Sequence, residues 1–220
     1  MTQTAPPELR ILCFGASITS GFHSFGLHSH PYALQLRTRL QSSLPSTQLT
    51  IDIDGLPGDR LIGGEYFSRL GTHAPAVYDW IIVQGGGNDL GWGHQPARIF
   101  EELKRLWGMA RGSGAKVLAL TVTETAEGSW SERTRGRYEA LNRMVLDVEG
   151  KGEGVWVGDV CARVPYAGME EGVRRRVWDD GLHLRPEGYD MMGEAIAERL
   201  IEILREGGSS EVGDGVGAKL

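Results

Sequence analysis

Long apolar runs are missing from this chain of 220 residues. No stretch of 18 apolar residues occurs, which excludes a transmembrane helix at the level of sequence. Cysteine is scarce, with Cys13 and Cys161 alone. Two cysteines make no disulfide framework. The strand order argued below keeps their strands apart, so both are expected to be reduced thiols in an intracellular compartment. An excess of positive charge is missing too. The formal net charge is −6, which argues against nucleic acid or an anionic membrane as the main partner. The dense basic run Arg174-Arg175-Arg176 is expected to be a solvated helix face. The segment from Met1 to Glu8 lacks the charged and apolar parts of a secretory signal. No Gly-Lys-Ser/Thr follows Gly85-Gly86-Gly87, so a phosphate-binding loop of that type is set aside. His28-Ser29-His30 has no third ligand at a sensible spacing, so no metal is expected, and no cofactor either.

What is present is an alternation of strand and helix signals. Leu9–Phe14, Leu49–Ile53, Tyr78–Gln84, Lys116–Thr121 and a strand beginning at Val155–Val157 read as five strands. Tyr32–Leu44, Leu61–Leu70, Ala97–Ala110 and Glu132–Val148 read as helices between them, the second interrupted by Gly63-Gly64. A last helix opens at Arg185-Pro186 and runs to about Leu204, with proline in its first turn. This order implies an α/β fold, a three-layer flavodoxin-like sandwich with a five-stranded parallel sheet in the order 2-1-3-4-5. Residues 1–206 are expected to form one domain. From 207 to 220 the chain is rich in glycine and is expected to be a flexible tail.

In that order the switch point lies between strands one and three, where open α/β sheets bind ligands. Strand one ends at Phe14-Gly15-Ala16-Ser17-Ile18-Thr19, and strand three ends at Gly86-Gly87-Asn88-Asp89. Topology therefore brings Ser17 and Asn88 together. A serine hydroxyl is a poor nucleophile without an adjacent base. His183 supplies an imidazole, and Asp180, three residues before it, supplies a carboxylate to orient the ring. Asp179 competes for the same role. Gly58, in Asp54-Gly55-Leu56-Pro57-Gly58-Asp59, allows close backbone approach and equally suits an ordinary Pro-Gly turn. Asp89 is expected to brace its loop or cap the following turn.

Taken together, these segments resemble the SGNH (GDSL-type) hydrolase superfamily, from Ile11 to about Ile196. The resemblance implies Ser17 as nucleophile with Asp180 and His183 completing a triad. It also implies an oxyanion hole formed by the N–H of Ser17, the N–H of Gly58 and the side-chain amide of Asn88. One position departs from the pattern. Ala16 stands where the superfamily usually has aspartate, which leaves open what holds the nucleophile loop. The expected function is a serine esterase acting on a small-molecule ester, of short-chain acyl or acetyl type. The alternatives are an acyltransferase using the same triad and a catalytically weak binding protein on the same fold. Phe22, Trp92 and Trp178 are candidate apolar walls for the substrate. The final residues Ala218, Lys219 and Leu220 resemble a peroxisomal address, so a peroxisomal import receptor is a candidate partner, with a cytoplasmic or peroxisomal location.

Overall fold

A computed structural model describes residues 6–73, 77–149 and 154–211, the last four by backbone alone. Ala218, Lys219 and Leu220 lie outside the described residues. The strands of the main sheet are β1 (Glu8–Gly15), β2 (Gln48–Gly55), β3 (Trp80–Val83), β4 (Lys116–Leu120) and β5 (Val155–Gly158). They form one sheet in which β2, β1, β3, β4 and β5 lie side by side, all parallel. This is the order expected from the sequence.

The centre of the sheet is buried on both faces because β3 and the second half of β1 are apolar at successive positions, whereas the edge strand β2 alternates. Successive side chains point to opposite sides. Ile11, Cys13, Trp80, Ile82, Leu118 and Leu120 therefore enter one core, while Leu12, Phe14, Ile81, Val83, Val117 and Ala119 enter the other. The helices divide between the faces in the same way. In chain order they are α1 (Ser17–Ser20), α2 (Ala33–Ser43), α3 (Tyr66–Thr72), α4 (Gly87–Gly91), α5 (Pro96–Gly112), α6 (Ala126–Trp130), α7 (Glu132–Leu146), α8 (Val160–Arg163), α9 (Glu171–Val177) and α10 (Pro186–Glu211). Leu36 and Leu40 of α2 and Met192, Ile196 and Leu200 of α10 cover the first face. Ile99, Leu103 and Leu106 of α5 and Leu141 and Val145 of α7 cover the second.

Two boundaries differ from the sequence reading by more than two residues. The helix expected over Leu61–Leu70 begins only at Tyr66. The buried Asp89 carboxylate accepts from the N–H groups of Leu61 and Ile62 (3.1 and 2.9 Å), and Asp59 accepts from that of Glu65 (2.6 Å). Side chains thus take the donors and hold these residues as a turn. The last helix runs to Glu211 rather than stopping near Leu204, so Gly207 continues a helix where a tail was expected to begin. Extending a formed helix costs far less than starting one, even through glycine. Residues 212–220 of that expected tail lie outside the described residues. Arg174, Arg175 and Arg176 sit on the last turn of α9, with Arg175 paired to Glu171 and Arg176 to Glu187, a solvated face as expected. No helix among the described residues is long and apolar enough to cross a membrane.

Candidate active site

Parallel pairing aligns the ends of the three central strands. Gly15 lies opposite Gly55, and Phe14 lies opposite Val83. The segments that follow these strands therefore emerge side by side at the carboxyl edge of the sheet. Ser17 opens α1 directly after β1 and is nearly buried. The first N–H groups of a helix have no partner within it, so the Ser17 N–H is free of the helix ladder. At position 16 the alanine is buried in the core with Phe14 and Tyr66. The loop is held instead by Arg69. Its guanidinium donates to the Gly15 carbonyl (3.1 Å), to the Asp54 carbonyl (2.8 Å) and to the Asp59 carboxylate (2.6 Å). One half-buried cation thus ties the end of β1 to the loop after β2.

The segment bearing Asp180 and His183 is a closed loop between α9 and α10. A bridge between Trp178 and Leu184 pins its base, and the Asp179 N–H donates to the His183 carbonyl at 2.9 Å. Inside it, Asp180 Oδ1 accepts from the backbone N–H of Leu182 (3.0 Å) and of His183 (2.7 Å). Gly181 has φ +82°, and a Cβ there would meet the Ala126 Cβ at 2.6 Å. The tight return that sets Asp180 beside His183 therefore requires glycine.

His183 Nδ1 lies 2.8 Å from Asp180 Oδ2, and its Nε2 lies 3.0 Å from Ser17 Oγ. A carboxylate accepts hydrogen bonds and does not donate them, so the ring proton sits on Nδ1 and Nε2 accepts from the serine hydroxyl. Burial pushes the Asp180 carboxyl upward. The hydrogen bonds from the His183 ring, the His183 N–H and the Leu182 N–H outweigh it, so the net shift is below the ordinary carboxylate range. Asp179, the competitor for this role, points elsewhere. Its Oδ2 accepts from the Ser24 N–H at 2.6 Å, and its Oδ1 pairs with Arg185 at 3.1 Å.

A cavity of about 30 Å³ opens beside Ser17. Asn88, Gly86, Val122 and Tyr138 are among the residues that line it. Asn88 Nδ2 donates one hydrogen to the Asp59 carbonyl at 2.8 Å. An amide nitrogen carries two hydrogens, so one remains. Gly58 is exposed, with φ +82°, and the Asp59 N–H bonds back to the Leu56 carbonyl. It is thus the third residue of a Pro-Gly turn, which requires that backbone sign. A Cβ at position 58 would meet nothing within 4 Å, so the space above it is open. Asp89 braces its loop through Leu61 and Ile62, as expected.

The three aromatics part company. Phe22 packs against the His183 ring, tilted by 47° with centroids 4.6 Å apart. Trp92 is 69% exposed, with the Arg60 guanidinium 3.9 Å from its ring centre. Trp178 is only 3% exposed, and its Nε1 donates to the Pro165 carbonyl. It is core, anchoring the Asp180–His183 loop, and not the substrate wall expected of it. Sequence reasoning missed Arg69, and it took Tyr138 for one inward position of α7 among several. No residue spacing marks either one, because their partners come from distant segments.

The sheet order and its helical layers are those of the SGNH hydrolase fold. The narrower assignment comes from the sequence as a whole. Residues 13–191 match the GDSL-like lipase/acylhydrolase family, and the chain belongs to it. Solved structures with the same fold include a lipase/acylhydrolase from Enterococcus faecalis, with TM-score 0.70 and 21% identity over 89% of this chain and 96% of that one. A family 3 carbohydrate esterase from Clostridium thermocellum gives TM-score 0.67 and 19% identity over 90% and 98%. A mutant of an acetyl-xylooligosaccharide esterase from Geobacillus gives TM-score 0.68 and 16% identity over 90% and 96%. No curated protein sequence matches the chain.

Proposed function

We propose that this member of the family is a serine esterase that hydrolyses short-chain carboxylic esters, acetates foremost, through an acyl-enzyme. The observation that carries the reading is the unbroken hydrogen-bonded series Ser17–His183–Asp180, at 3.0 and 2.8 Å, beside a cavity at the sheet's switch point. Ser17 Oγ attacks the carbonyl carbon while His183 Nε2 takes the hydroxyl proton. Asp180 holds the ring and stabilises its cation. The developing oxyanion is met by the Ser17 N–H, the Gly58 N–H and the spare hydrogen of Asn88. His183 then gives its proton to the departing alkoxide, releasing the alcohol. Water attacks the acyl-serine with His183 again as base, and the acid leaves.

The size of the cavity supports acetate. One water-sized group needs about 10–15 Å³ of such space, so about 30 Å³ takes roughly two, the carbonyl and methyl of an acetyl group. Ester cleavage accords with the sharing of this fold by a carbohydrate esterase and an acetyl-xylooligosaccharide esterase. Ser17→Ala is expected to lower kcat for p-nitrophenyl acetate by about 10⁴-fold or more with the circular dichroism spectrum unchanged. Wild-type turnover in that variant would refute Ser17 as nucleophile. Product analysis with a competing alcohol separates hydrolysis from acyl transfer.

A further inference from the structure

A second recess, of about 60 Å³, adjoins the cavity beside Ser17. Tyr138 is the one residue that lines both. The first cavity is bounded by Val122 and Thr123, and the second by the next two residues of the same segment, Glu124 and Thr125. The half-buried phenol thus stands as the partition between them.

The polar groups around the recess are already committed. The Glu124 carboxylate accepts from the N–H groups of Tyr166 and Ala167 (2.6 and 2.8 Å). The Asn142 side chain is paired with the N–H and the carbonyl of Val122 (2.7 and 2.8 Å). Thr125 Oγ1 accepts from the Gly128 N–H at 3.2 Å. Burial pushes the Cys161 thiol up to about 12, so it is neutral. Arg135 and Glu139 face each other on the exposed rim. What remains for an occupant is mainly apolar surface, with the committed Glu124 carboxylate at one side and Arg135 and Glu139 at the rim, and about 60 Å³ gives room for roughly four methylene-sized groups.

We propose that Tyr138 sets the acyl-length limit of the enzyme, closing off from Ser17 an apolar recess that would otherwise take a medium aliphatic chain. This rests on the reading of Ser17 as the acylated residue. A methylene gained or lost in an apolar pocket changes discrimination by about 10-fold or more. Removing the ring therefore opens the range, while keeping the ring preserves it.

The test uses the full chain and the p-nitrophenyl esters of acetate, butyrate and hexanoate. In Tyr138→Ala the ratio of kcat/KM for hexanoate over acetate is expected to rise by about 10-fold or more. In Tyr138→Phe that ratio stays at its wild-type value. Adding Cys161→Leu to Tyr138→Ala refills the recess and brings the ratio back down. Tyr138→Leu replaces the alanine variant if circular dichroism shows the latter unfolded. A ratio that stays within about threefold of wild type in the ring-less variants overturns the proposal, as does a wild type that already prefers hexanoate. The two readings fail separately. Full activity in Ser17→Ala removes the esterase reading, whereas an inactive Ser17→Ala with an unmoved chain-length ratio removes only the role of Tyr138.

Discussion

His183 uses both of its ring nitrogens, and the bond on one decides what the other can do. With Nδ1–H committed to Asp180, Nε2 presents a lone pair to Ser17. Asp180 is itself fixed by two backbone donors within its own loop, so the orienting group is oriented. Its depressed pKa has a consequence for stability. A carboxyl whose native pKa lies below its unfolded value stabilises the fold above that unfolded value, and the contribution is lost as pH falls through the native one. The ordinary value is 3.8. The urea midpoint of the wild type is therefore expected to exceed that of Asp180→Asn at about pH 5, and the margin to close as pH falls below 3.8. A margin that persists unchanged to about pH 2 would show that the stabilisation does not come from the ionised carboxylate.

Among the elements, the small hairpin after α1 shows what a sequence reading of periodicity leaves out. Phe22–His23 pairs with His28–Ser29, and the turn between them puts Ser24 and Phe25 at φ 52° and 57°. Neither is glycine, so each left-handed residue costs on the order of 1–2 kcal/mol. Asp179 offsets part of that cost by accepting the Ser24 N–H, and Tyr189 donates to the Phe22 carbonyl at 2.7 Å. The hairpin in turn lays Phe22 on His183. Asp179→Ala is expected to speed exchange of the Ser24 amide by about 10-fold or more while leaving the Ile11 amide in β1 unchanged. Equal protection in variant and wild type would show that Asp179 does not tether the turn. The long helices α2, α5 and α7 and all five strands were legible because 11 or more residues of one helical period, an unbroken apolar run or, in β2, a strict alternation leaves a clear imprint. Segments such as α1, α6 and α8 span only 4–5 residues. That is too short to carry a period, and their places are set by caps and tertiary contacts.

For the whole molecule, the important fact is that one parallel sheet carries two cores and leaves its candidate functional groups at a single edge. Ser17, Asn88 and His183 come from three distant parts of the chain, yet strand order alone was enough to predict that the first two meet. The third was legible from the Asp-x-x-His spacing. The proposed partition at Tyr138 and the clamp at Arg69 were not, since each depends on which segments pack together after folding. The whole account depends on Ser17 being the group that is acylated. The most direct measurement is to treat the protein with a fluorophosphonate and locate the adduct by peptide mass mapping. The account predicts one adduct, on Ser17, that blocks hydrolysis of p-nitrophenyl acetate in proportion to labelling. An adduct on another residue, or full inhibition with Ser17 unmodified, would contradict it.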